Sequence, residues 1–398
     1  MIKSYTVTTT EVDDAEEAVR QVAEKTASAA LLKNSIGIIT AHPEFVTSGV
    51  YSEVAKALPF PTIGATSISH YADGIAETYM LSVLILTSDD CSFSCGLSAT
   101  IPKDGSGGAL EITRECYEET RGKLSGEPKL ALLYAPFFGT FPRQGDYLEA
   151  ITGIDAKLPV FGSVANDDLS ASTRLIDART FYNGESYDDR FAIALVSGGI
   201  NPKFYINSLT EESIIMPRVG VITKIDGNKI LEINSVSATE FFKNIGFLGT
   251  DPQDRDKGLL SSIFVLHIKD ENGVSADISR IPAGVEDDGV MCGGRLVTGA
   301  VLSIAFNTKD VVLETAKNLM DAIKENHSGG TVILHSCIGR RYGLLSEPMR
   351  ELELIRDALG GGFNYTADYA NGEICPTAVS GVKASNQEHN QTLVACVF

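Results

Sequence analysis

The sequence feature that most constrains the fold is a strand and helix unit that recurs three times along the chain. In each copy an amphipathic helix is followed by an apolar strand, and the spacing from helix start to strand start is 22, 23 and 23 residues (Asp13 to Ser35, Ser106 to Lys129, Thr308 to Thr331). A constant spacing of this kind indicates an internal repeat. We therefore predict an α/β protein, a layered sandwich of mixed sheets built from repeated strand-helix-strand-helix-strand units.

The stretch between the second and third units has a different pattern. Residues 219–233 alternate apolar and polar side chains around Asp226, Gly227 and Asn228, which predicts a β-hairpin. We expect the third unit to begin at the apolar run from Gly299 to Phe306. The sequence thus predicts two domains, residues 1–205 with two repeated units and residues 206–398 with the hairpin insertion and the third unit.

Composition excludes several classes of function. The net charge of −19 argues against nucleic acid or an anionic membrane surface as partner, because both bind clustered Lys and Arg. No apolar run reaches the roughly 18 residues that a membrane span needs, and we expect a cytoplasmic protein without membrane insertion. The seven cysteines have no regular spacing, which favours buried thiols over a disulfide framework. For the same reason the sequence predicts no metal site.

Four motifs in the C-terminal half follow one another in a characteristic order. They are VGVITKIDGNKILEINSVSATEFF from Val219, SCIGRR from Ser336, GGFNYTADYANGEICP from Gly361 and HNQT from His389. In this order they resemble the C-terminal domain of the FIST family, a group of intracellular sensory proteins, and the likeness extends over nearly the whole chain. The resemblance implies an FIST N-type and an FIST C-type domain that together sense a small ligand, such as an amino acid or a small carboxylate.

The same motifs supply the candidate ligand-binding residues, which are Ser336, Cys337, Arg340, Arg341, Asn364, Tyr365, Glu373, His389, Asn390 and Thr392. The guanidinium groups of Arg340 and Arg341 suit a carboxylate, which two parallel hydrogen bonds can hold. The carboxylate of Glu373 suits an ammonium group. With the neutral asparagine and threonine side chains, the set would bind a zwitterion; alternatively, Arg340 and Glu373 pair with each other.

Three of these residues have more than one interpretation. Tyr365 is either an aromatic wall of the site or a core residue with its hydroxyl satisfied. His389 could contact ligand, bond a backbone carbonyl or face solvent. Cys337 is either a packed thiol or a nucleophile paired with His335 or His389, which would make the protein a cysteine-dependent enzyme.

The resemblance also bears on partners and cofactors. It implies that the signal passes to a separate signalling protein, such as a histidine kinase or a cyclic-dinucleotide enzyme. A second hypothesis is a haem-binding gas sensor, with His335, His389 or His42 as axial ligand. The chain has no P-loop, no His-Glu-x-x-His, no Gly-x-Ser-x-Gly and no dinucleotide-binding fingerprint, so the motifs favour a ligand-binding protein over an enzyme.

Overall fold

In the part of the chain that the structure describes, four β-sheets form the framework, three of them built on one plan and the fourth inserted before the last helices. The structure is a computed structural model that describes residues 2–104, 107–139, 144–167, 177–249, 256–269, 275–379 and 384–398. The mixed-sheet α/β architecture predicted from the sequence is confirmed. Each repeated unit contributes four strands and a two-stranded hairpin.

The first unit begins with an edge strand and a capped helix. Asp14 caps this helix by accepting from the Glu17 backbone N–H, one residue beyond the predicted start at Asp13. Its elements are β1 (Lys3–Thr9), α1 (Ala15–Ser28), β2 (Asn34–Ala41), α2 (Pro43–Thr47), α3 (Val50–Ala57), β3 (Thr62–Thr66), β4 (His70–Ala72), β5 (Ile75–Glu77) and β6 (Leu81–Ser88).

Among its described residues, the second unit repeats this order with one helix fewer. The predicted helix start at Ser106 lies outside the described residues. Its elements are β7 (Ser92–Leu97), α4 (Ala109–Lys123), β8 (Pro128–Ala135), α5 (Gln144–Ile154), β9 (Val160–Val164), β10 (Thr180–Tyr182), β11 (Glu185–Tyr187) and β12 (Ala192–Ser197).

The fourth sheet is inserted after the first strand of the third unit. That strand is β13 (Lys203–Asn207), and the insertion comprises β14 (Ile214–Asp226), β15 (Lys229–Ile233), β16 (Val236–Ser237), α6 (Ala238–Asn244), α7 (Lys257–Leu260), β17 (Ile263–Lys269), β18 (Ser275–Arg280), β19 (Pro282–Glu286), β20 (Gly289–Cys292) and β21 (Val301–Ala305). Strands β14 and β15 form the predicted hairpin, with Asp226 opposite Lys229.

The third unit resumes after the insertion. Thr308 caps its first helix, as predicted, by accepting from the Val311 backbone N–H. The remaining elements are α8 (Lys309–Asn326), β22 (Gly330–Cys337), α9 (Ile338–Gly343), α10 (Arg350–Leu359), β23 (Phe363–Ala370), β24 (Glu373–Val379), β25 (Ala384–His389) and β26 (Leu393–Val397).

The start predicted for the third unit is wrong. Strand β21, which covers most of the run from Gly299 to Phe306, pairs with β14 and β17 in the fourth sheet. Its place in the third unit is taken by β13, which pairs with β26 just as β1 pairs with β6 in the first unit. A buried apolar run does not reveal which sheet it joins, because that depends on distant partners. The domain boundary at residues 205 and 206 falls within β13 and stays a prediction.

The three units exchange their hairpins in a closed cycle. The hairpin β4–β5 of the first unit extends the sheet of the third unit by pairing with β23. The hairpin β10–β11 of the second unit pairs with β3 of the first. The hairpin β24–β25 of the third unit pairs with β9 of the second. Each of these three sheets therefore has six strands in the described structure, two of which come from another unit.

Each of the three sheets is covered on both faces. Their inner faces meet in one shared core, to which Leu84, Leu132 and Ile333 contribute from the three units. The outer faces pack against the helices of their own units in three separate clusters. Because both faces of these sheets are buried, their central strands are continuous apolar runs in the sequence.

Two glycines lie at corresponding places inside these sheets. Gly64 in β3 and Gly162 in β9 approach the neighbouring parallel strand so closely that a Cβ atom would stand 1.8 Å from the Ile39 carbonyl oxygen and 1.9 Å from the Leu133 carbonyl oxygen. These glycines permit close strand contact within a sheet.

Two further features concern the chain as a whole. All seven cysteines are buried as free thiols. Across the part of the chain that the structure describes, no helix combines the length and apolar character needed to cross a bilayer.

Candidate ligand-binding site

A cavity of about 240 Å³ lies where the second unit, the fourth sheet and the third unit meet. The second unit contributes Phe137 and Gln144, the fourth sheet contributes the segments around Pro282 and Gly294, and the third unit contributes a group of polar side chains. That group is Cys337, Asn371, Glu373, His389 and Asn390. We call this space the Glu373 cavity. Its volume suits a ligand smaller than most drug molecules.

The exchanged hairpin places the two most buried polar residues of the cavity side by side. Glu373 begins β24 and pairs with His389 at the end of β25. On its other side Glu373 pairs with Ser163 of β9, so the second unit's sheet fixes its position. Cys337 reaches the same space from the end of β22, where α9 begins.

Glu373 is fully buried, and no lysine or arginine among the described residues forms an ion pair with it. Its Oε2 accepts from the hydroxyl and from the backbone N–H of Thr392, the latter at 3.3 Å. Its Oε1 has no N–H or O–H partner among the described residues, and the weakly donating Cys337 thiol also hydrogen-bonds to this carboxyl. Burial raises the pKa of Glu373 to about 8, against the lowering effect of the Thr392 hydrogen bonds. The carboxyl group is therefore mostly protonated at neutral pH when the cavity holds no cation.

His389 is held as a neutral ring with a defined tautomer. Its Nε2 lies 3.0 Å from the Cys375 carbonyl oxygen, which can only accept, so Nε2 carries the proton. Burial lowers the pKa of His389 to about 3. Nδ1 is consequently a hydrogen-bond acceptor, and it has no partner in the described structure.

Three amide side chains in the cavity lining also carry unpartnered oxygens. The Nδ2 of Asn371 donates to the Ala165 carbonyl at 2.9 Å, and the Nδ2 of Asn390 donates to the His389 carbonyl at 3.0 Å. These bonds fix the orientation of both amides. The buried Oδ1 atoms of Asn371 and Asn390 and the Oε1 of Gln144 then remain without a donor among the described residues. Buried polar atoms are rarely left unpaired, so this concentration of acceptors calls for a donor.

The described lining contains no lysine or arginine. Its second carboxylate, Glu388, accepts from the backbone N–H of Arg295, and its Oε1 lies 3.9 Å from Arg280. The buried guanidinium of Arg280 is directed to backbone oxygens of Ser279, Glu388 and Arg295. The described part of the lining thus offers acceptors to a ligand and contains no cation that could hold a carboxylate.

Cys337 lines the cavity as a protonated thiol. Burial raises the pKa of Cys337 well above its ordinary value, and the nearby Glu373 raises it further. A nucleophilic cysteine needs the opposite environment, one that favours the thiolate. Of the two predicted partners, His335 is directed elsewhere, since its Nδ1 lies 2.7 Å from Asp368 Oδ1. His389 lines the same cavity as Cys337, but burial lowers its pKa to about 3, which makes it a weak base.

The structure therefore brings together four of the ten residues selected from the sequence. Cys337, Glu373, His389 and Asn390 line one cavity. Thr392 lies behind them and fixes the Glu373 carboxyl.

The other residues of the SCIGRR motif do not line the cavity. Arg340 is fully buried and forms an ion pair with Glu351 at 2.6 Å, rather than with a ligand or with Glu373. It also donates to the Val312 carbonyl and the Thr315 hydroxyl, both at 3.0 Å. Ser336 donates to the other oxygen of Glu351 at 2.8 Å. The predicted carboxylate clamp is thus a structural ion pair between β22, α9 and α10.

Arg341, Tyr365 and Asn364 also lie away from the Glu373 cavity. Arg341 is partly exposed next to this ion pair in sequence, and its Nε has no partner in the described structure. Tyr365 stacks on Tyr71 with ring centroids 4.7 Å apart and donates to the Arg356 carbonyl, so its core interpretation applies. Asn364 links β23 to Ser4 of β1 at 3.2 Å. Asn364 is the second residue of β23, whereas Asn371 follows the strand's far end.

The histidines proposed as haem ligands have protein partners. His335 bonds to Asp368 and stacks against Phe161 with ring centroids 5.2 Å apart. His42 caps α2 by accepting from the Glu44 backbone N–H at 3.2 Å. The Nε2 of His389 bonds to a carbonyl. Of the three, His389 alone lines the Glu373 cavity among the described residues.

Sequence reasoning missed the contributions of the second unit and the fourth sheet. Gln144 and Phe137 belong to no recognised motif, and nothing in the sequence links them to residues more than 200 positions away. The Gly293-Gly294 pair carried a usable signal. A Cβ atom at Gly294, whose φ is +90°, would stand 3.1 Å from Arg280 and 3.2 Å from Glu388, so glycine is needed beside the cavity.

Comparison with known proteins identifies the family. Residues 35–235 match the FIST N domain and residues 238–376 match the FIST C domain. The chain belongs to the FIST family, whose domains are generally small-ligand sensory domains of signalling proteins. No curated protein matches the chain.

Two solved structures of cyanuric acid hydrolases resemble the chain weakly. One has 7% sequence identity and a TM-score of 0.35. The other, from A. caulinodans, has 8% identity and a TM-score of 0.36. Each comparison covers 100% of this chain and 98% of the hydrolase. At these TM-scores the likeness supports no conclusion about this protein.

Proposed function

We propose that this protein is a sensor that binds a small, hydrogen-bond-donating molecule in the Glu373 cavity. A primary amine is the chemistry that fits best. The observation that carries the proposal is the set of unpartnered buried acceptors on Gln144, Asn371, His389 and Asn390, together with the Glu373 carboxyl, which becomes a further acceptor when a cation ionises it. An ammonium group donates three hydrogen bonds and would ionise Glu373 by pairing with it.

The same cavity lining disfavours the small carboxylates that are expected as ligands from the sequence. The predicted clamp residue Arg340 is already paired with Glu351. A carboxylate would have to enter a lining of carbonyl-type oxygens without any lysine or arginine in the described residues. Transfer of an unpaired charge into such a site is costly. An amino acid would fit only with its carboxylate directed out of the cavity.

The position of the cavity suggests how binding could be sensed. A ligand there would contact the second unit, the fourth sheet and the third unit at once, and would favour the arrangement in which all three surround it. We propose that this change is passed to a separate signalling protein, such as a histidine kinase or a cyclic-dinucleotide enzyme. The support for such a partner is membership of the FIST family.

A thermal-shift screen with matched compounds tests the ligand class. Each amino acid is compared with the amine that lacks its carboxylate and with the acid that lacks its amino group. We expect the melting temperature to rise with at least one amine and with none of the acids. A rise with the acids, or no rise with any amine in a folded sample, would contradict the proposal.

Two asparagine variants locate the binding site. Asn390→Ala removes a cavity acceptor and should abolish or strongly reduce the amine-induced shift. Asn364→Ala is the matched control, because Asn364 is also partly buried but contacts β1 instead of the cavity. It should lower the melting temperature of the free protein and leave the amine-induced shift unchanged. Equal loss of the shift in both variants would show that the cavity is not the site.

A further inference from the structure

A second, larger depression lies on the fourth sheet, away from the Glu373 cavity. This groove has a volume of about 750 Å³ and is open to solvent. Strands β14, β17, β18 and β21 form its base and sides. Neither the family assignment nor the proposed sensor function gives it a role.

Three side chains in the groove form a hydrogen-bonded chain. The Oγ of Ser303 lies 2.7 Å from Nε2 of His267, and Nδ1 of His267 lies 2.7 Å from Oδ1 of Asp277. Ser303 is buried, while the side chain of His267 is 21% exposed and that of Asp277 is 62% exposed. All three residues line the groove.

The sheet register explains why these residues meet. His267 on β17 stands directly opposite Asp277 on β18. On the other side of β17, Ser303 of β21 stands opposite Val265, two residues from His267, so it faces the same side of the sheet as a diagonal neighbour. Three adjacent strands thereby hold the serine, the histidine and the aspartate in order.

One neutral tautomer of His267 satisfies both of its hydrogen-bond partners. The Arg218 backbone N–H donates to Ser303 Oγ at 2.8 Å, so that oxygen is an acceptor there. In the neutral tautomer whose Nδ1–H donates to the Asp277 carboxylate, Nε2 carries no proton and can accept from the serine hydroxyl. This is the tautomer in which a histidine removes a proton from serine.

The backbone of β14 at Arg218, next to Ser303, has an unusual conformation. Arg218 has a φ of +49°, which non-glycine residues seldom adopt, and it lies where the pairing of β14 with β21 shifts register. This bend directs the Arg218 N–H at the serine. The Arg218 and Lys269 side chains line the groove, and neither has an ion-pair partner in the described ranges.

We propose that Ser303, His267 and Asp277 form a catalytic triad for acyl transfer from small esters. Ser303 Oγ attacks the acyl carbon while its proton passes to His267 Nε2. The bond to the alcohol oxygen then breaks, and the alcohol leaves with that proton. Water hydrolyses the acyl-serine by giving one proton to Nε2 and its oxygen to the acyl carbon, and Nε2 returns the proton to Ser303. Asp277 is a positioning residue that fixes the histidine tautomer.

Labelling with a fluorophosphonate probe tests the proposal on the full chain. The serine oxygen displaces fluoride from phosphorus, so an activated serine gains the phosphonyl mass. We expect one label per chain, mapped to Ser303 by peptide mass spectrometry, together with a burst of nitrophenol from 4-nitrophenyl acetate. A folded wild-type chain that carries no label on Ser303 overturns the proposal, and this result does not depend on any variant.

Single substitutions distinguish a catalytic triad from a hydrogen-bonded chain that only stabilises the fold. Ser303→Ala should lose the label, and His267→Gln should slow labelling by about 100-fold or more, the usual contribution of a general base. Asp277→Asn should also slow labelling and change its pH profile. Ser279→Ala is the matched control, since this buried serine lies on the same sheet and bonds to Ser208. It should label at the wild-type rate; equal rates in all four variants would overturn the proposal.

Discussion

Protonation of Glu373 changes over a pH range well above the ordinary range of a glutamate. Burial raises its pKa from 4.5 to about 8 in the folded chain. Between these two values the unfolded chain has lost the proton while the folded chain still holds it. The folded state then binds more protons than the unfolded state, so the free energy of unfolding falls as the pH rises through this window.

Glu373→Gln should remove this pH dependence. The glutamine imitates the neutral carboxyl and cannot ionise, so the variant should gain stability relative to wild type as the pH rises from 5 to 8. By pH 8 the gain should be on the order of 4 kcal/mol, from the size of the pKa shift. Urea unfolding of both proteins at several pH values measures it. A stability difference that is the same at pH 5 and pH 8 would contradict the assigned shift.

Arg340 and Glu351 should contribute to stability rather than to binding. Arg340→Met leaves the fully buried Glu351 carboxylate without its cation and should lower the free energy of unfolding by about 3 to 5 kcal/mol. Arg341→Met is the control, because Arg341 is partly exposed and should change it by less than about 1 kcal/mol. Chemical denaturation of both variants checks this, and similar losses in the two would be inconsistent with a specific buried pair.

The sequence could predict which residues carry polar chemistry but not where each side chain is directed. Glu373, His389 and Asn390 share the cavity because β24 and β25 form one hairpin, a local relation that the motifs contain. Arg340 sits only three residues from Cys337, yet α9 begins between them and turns the guanidinium to Glu351. A one-dimensional motif does not record such a rotation.

Among the secondary structure elements, the parallel pair β8–β9 depends on one glycine. Gly162→Ala would place its Cβ 1.9 Å from the Leu133 carbonyl oxygen, so the backbone of the pair must separate. We expect a loss of more than about 3 kcal/mol, beyond the usual range for overpacking. Gly153→Ala in α5 meets no atom within 4 Å and should leave the melting temperature equal or slightly higher. A Gly162→Ala variant as stable as wild type would contradict the close approach of β8 and β9.

The sequence predicts these elements well because their causes are local. Helix caps such as Asp14 and Thr308, and the turn at Asp226 to Asn228, act within a few residues. The choice of partner strand is not local. The run from Gly299 to Phe306 has the same apolar character as the first strand of a unit, but β21 joins the fourth sheet instead.

For the molecule as a whole, the cyclic exchange of hairpins makes the three units depend on one another. The segment 1–205, expressed alone, lacks β23, on which β4 pairs, and lacks β24, on which β9 pairs. Its β4 and β9 would have unpaired edges.

We therefore expect this fragment to show weak amide protection at those strands. Hydrogen exchange of the fragment and of the full chain, followed by mass spectrometry, measures it. The strand pair β2–β6, which lies entirely within the fragment, is the internal control. Equal protection of β4 in both proteins would mean that the exchanged hairpin is not required.

The proposed binding of a cationic donor by Glu373 and its neighbouring acceptors can be measured through the protons exchanged. Calorimetric titration with the best amine, at pH 7 in two buffers of different ionisation enthalpy, counts the protons exchanged on binding. Because the pKa of Glu373 is about 8 in the empty cavity, an ammonium that pairs with it should release about one proton per ligand. Glu373→Gln should bind more weakly and release none. Wild type and variant with the same affinity and the same proton count would contradict the account.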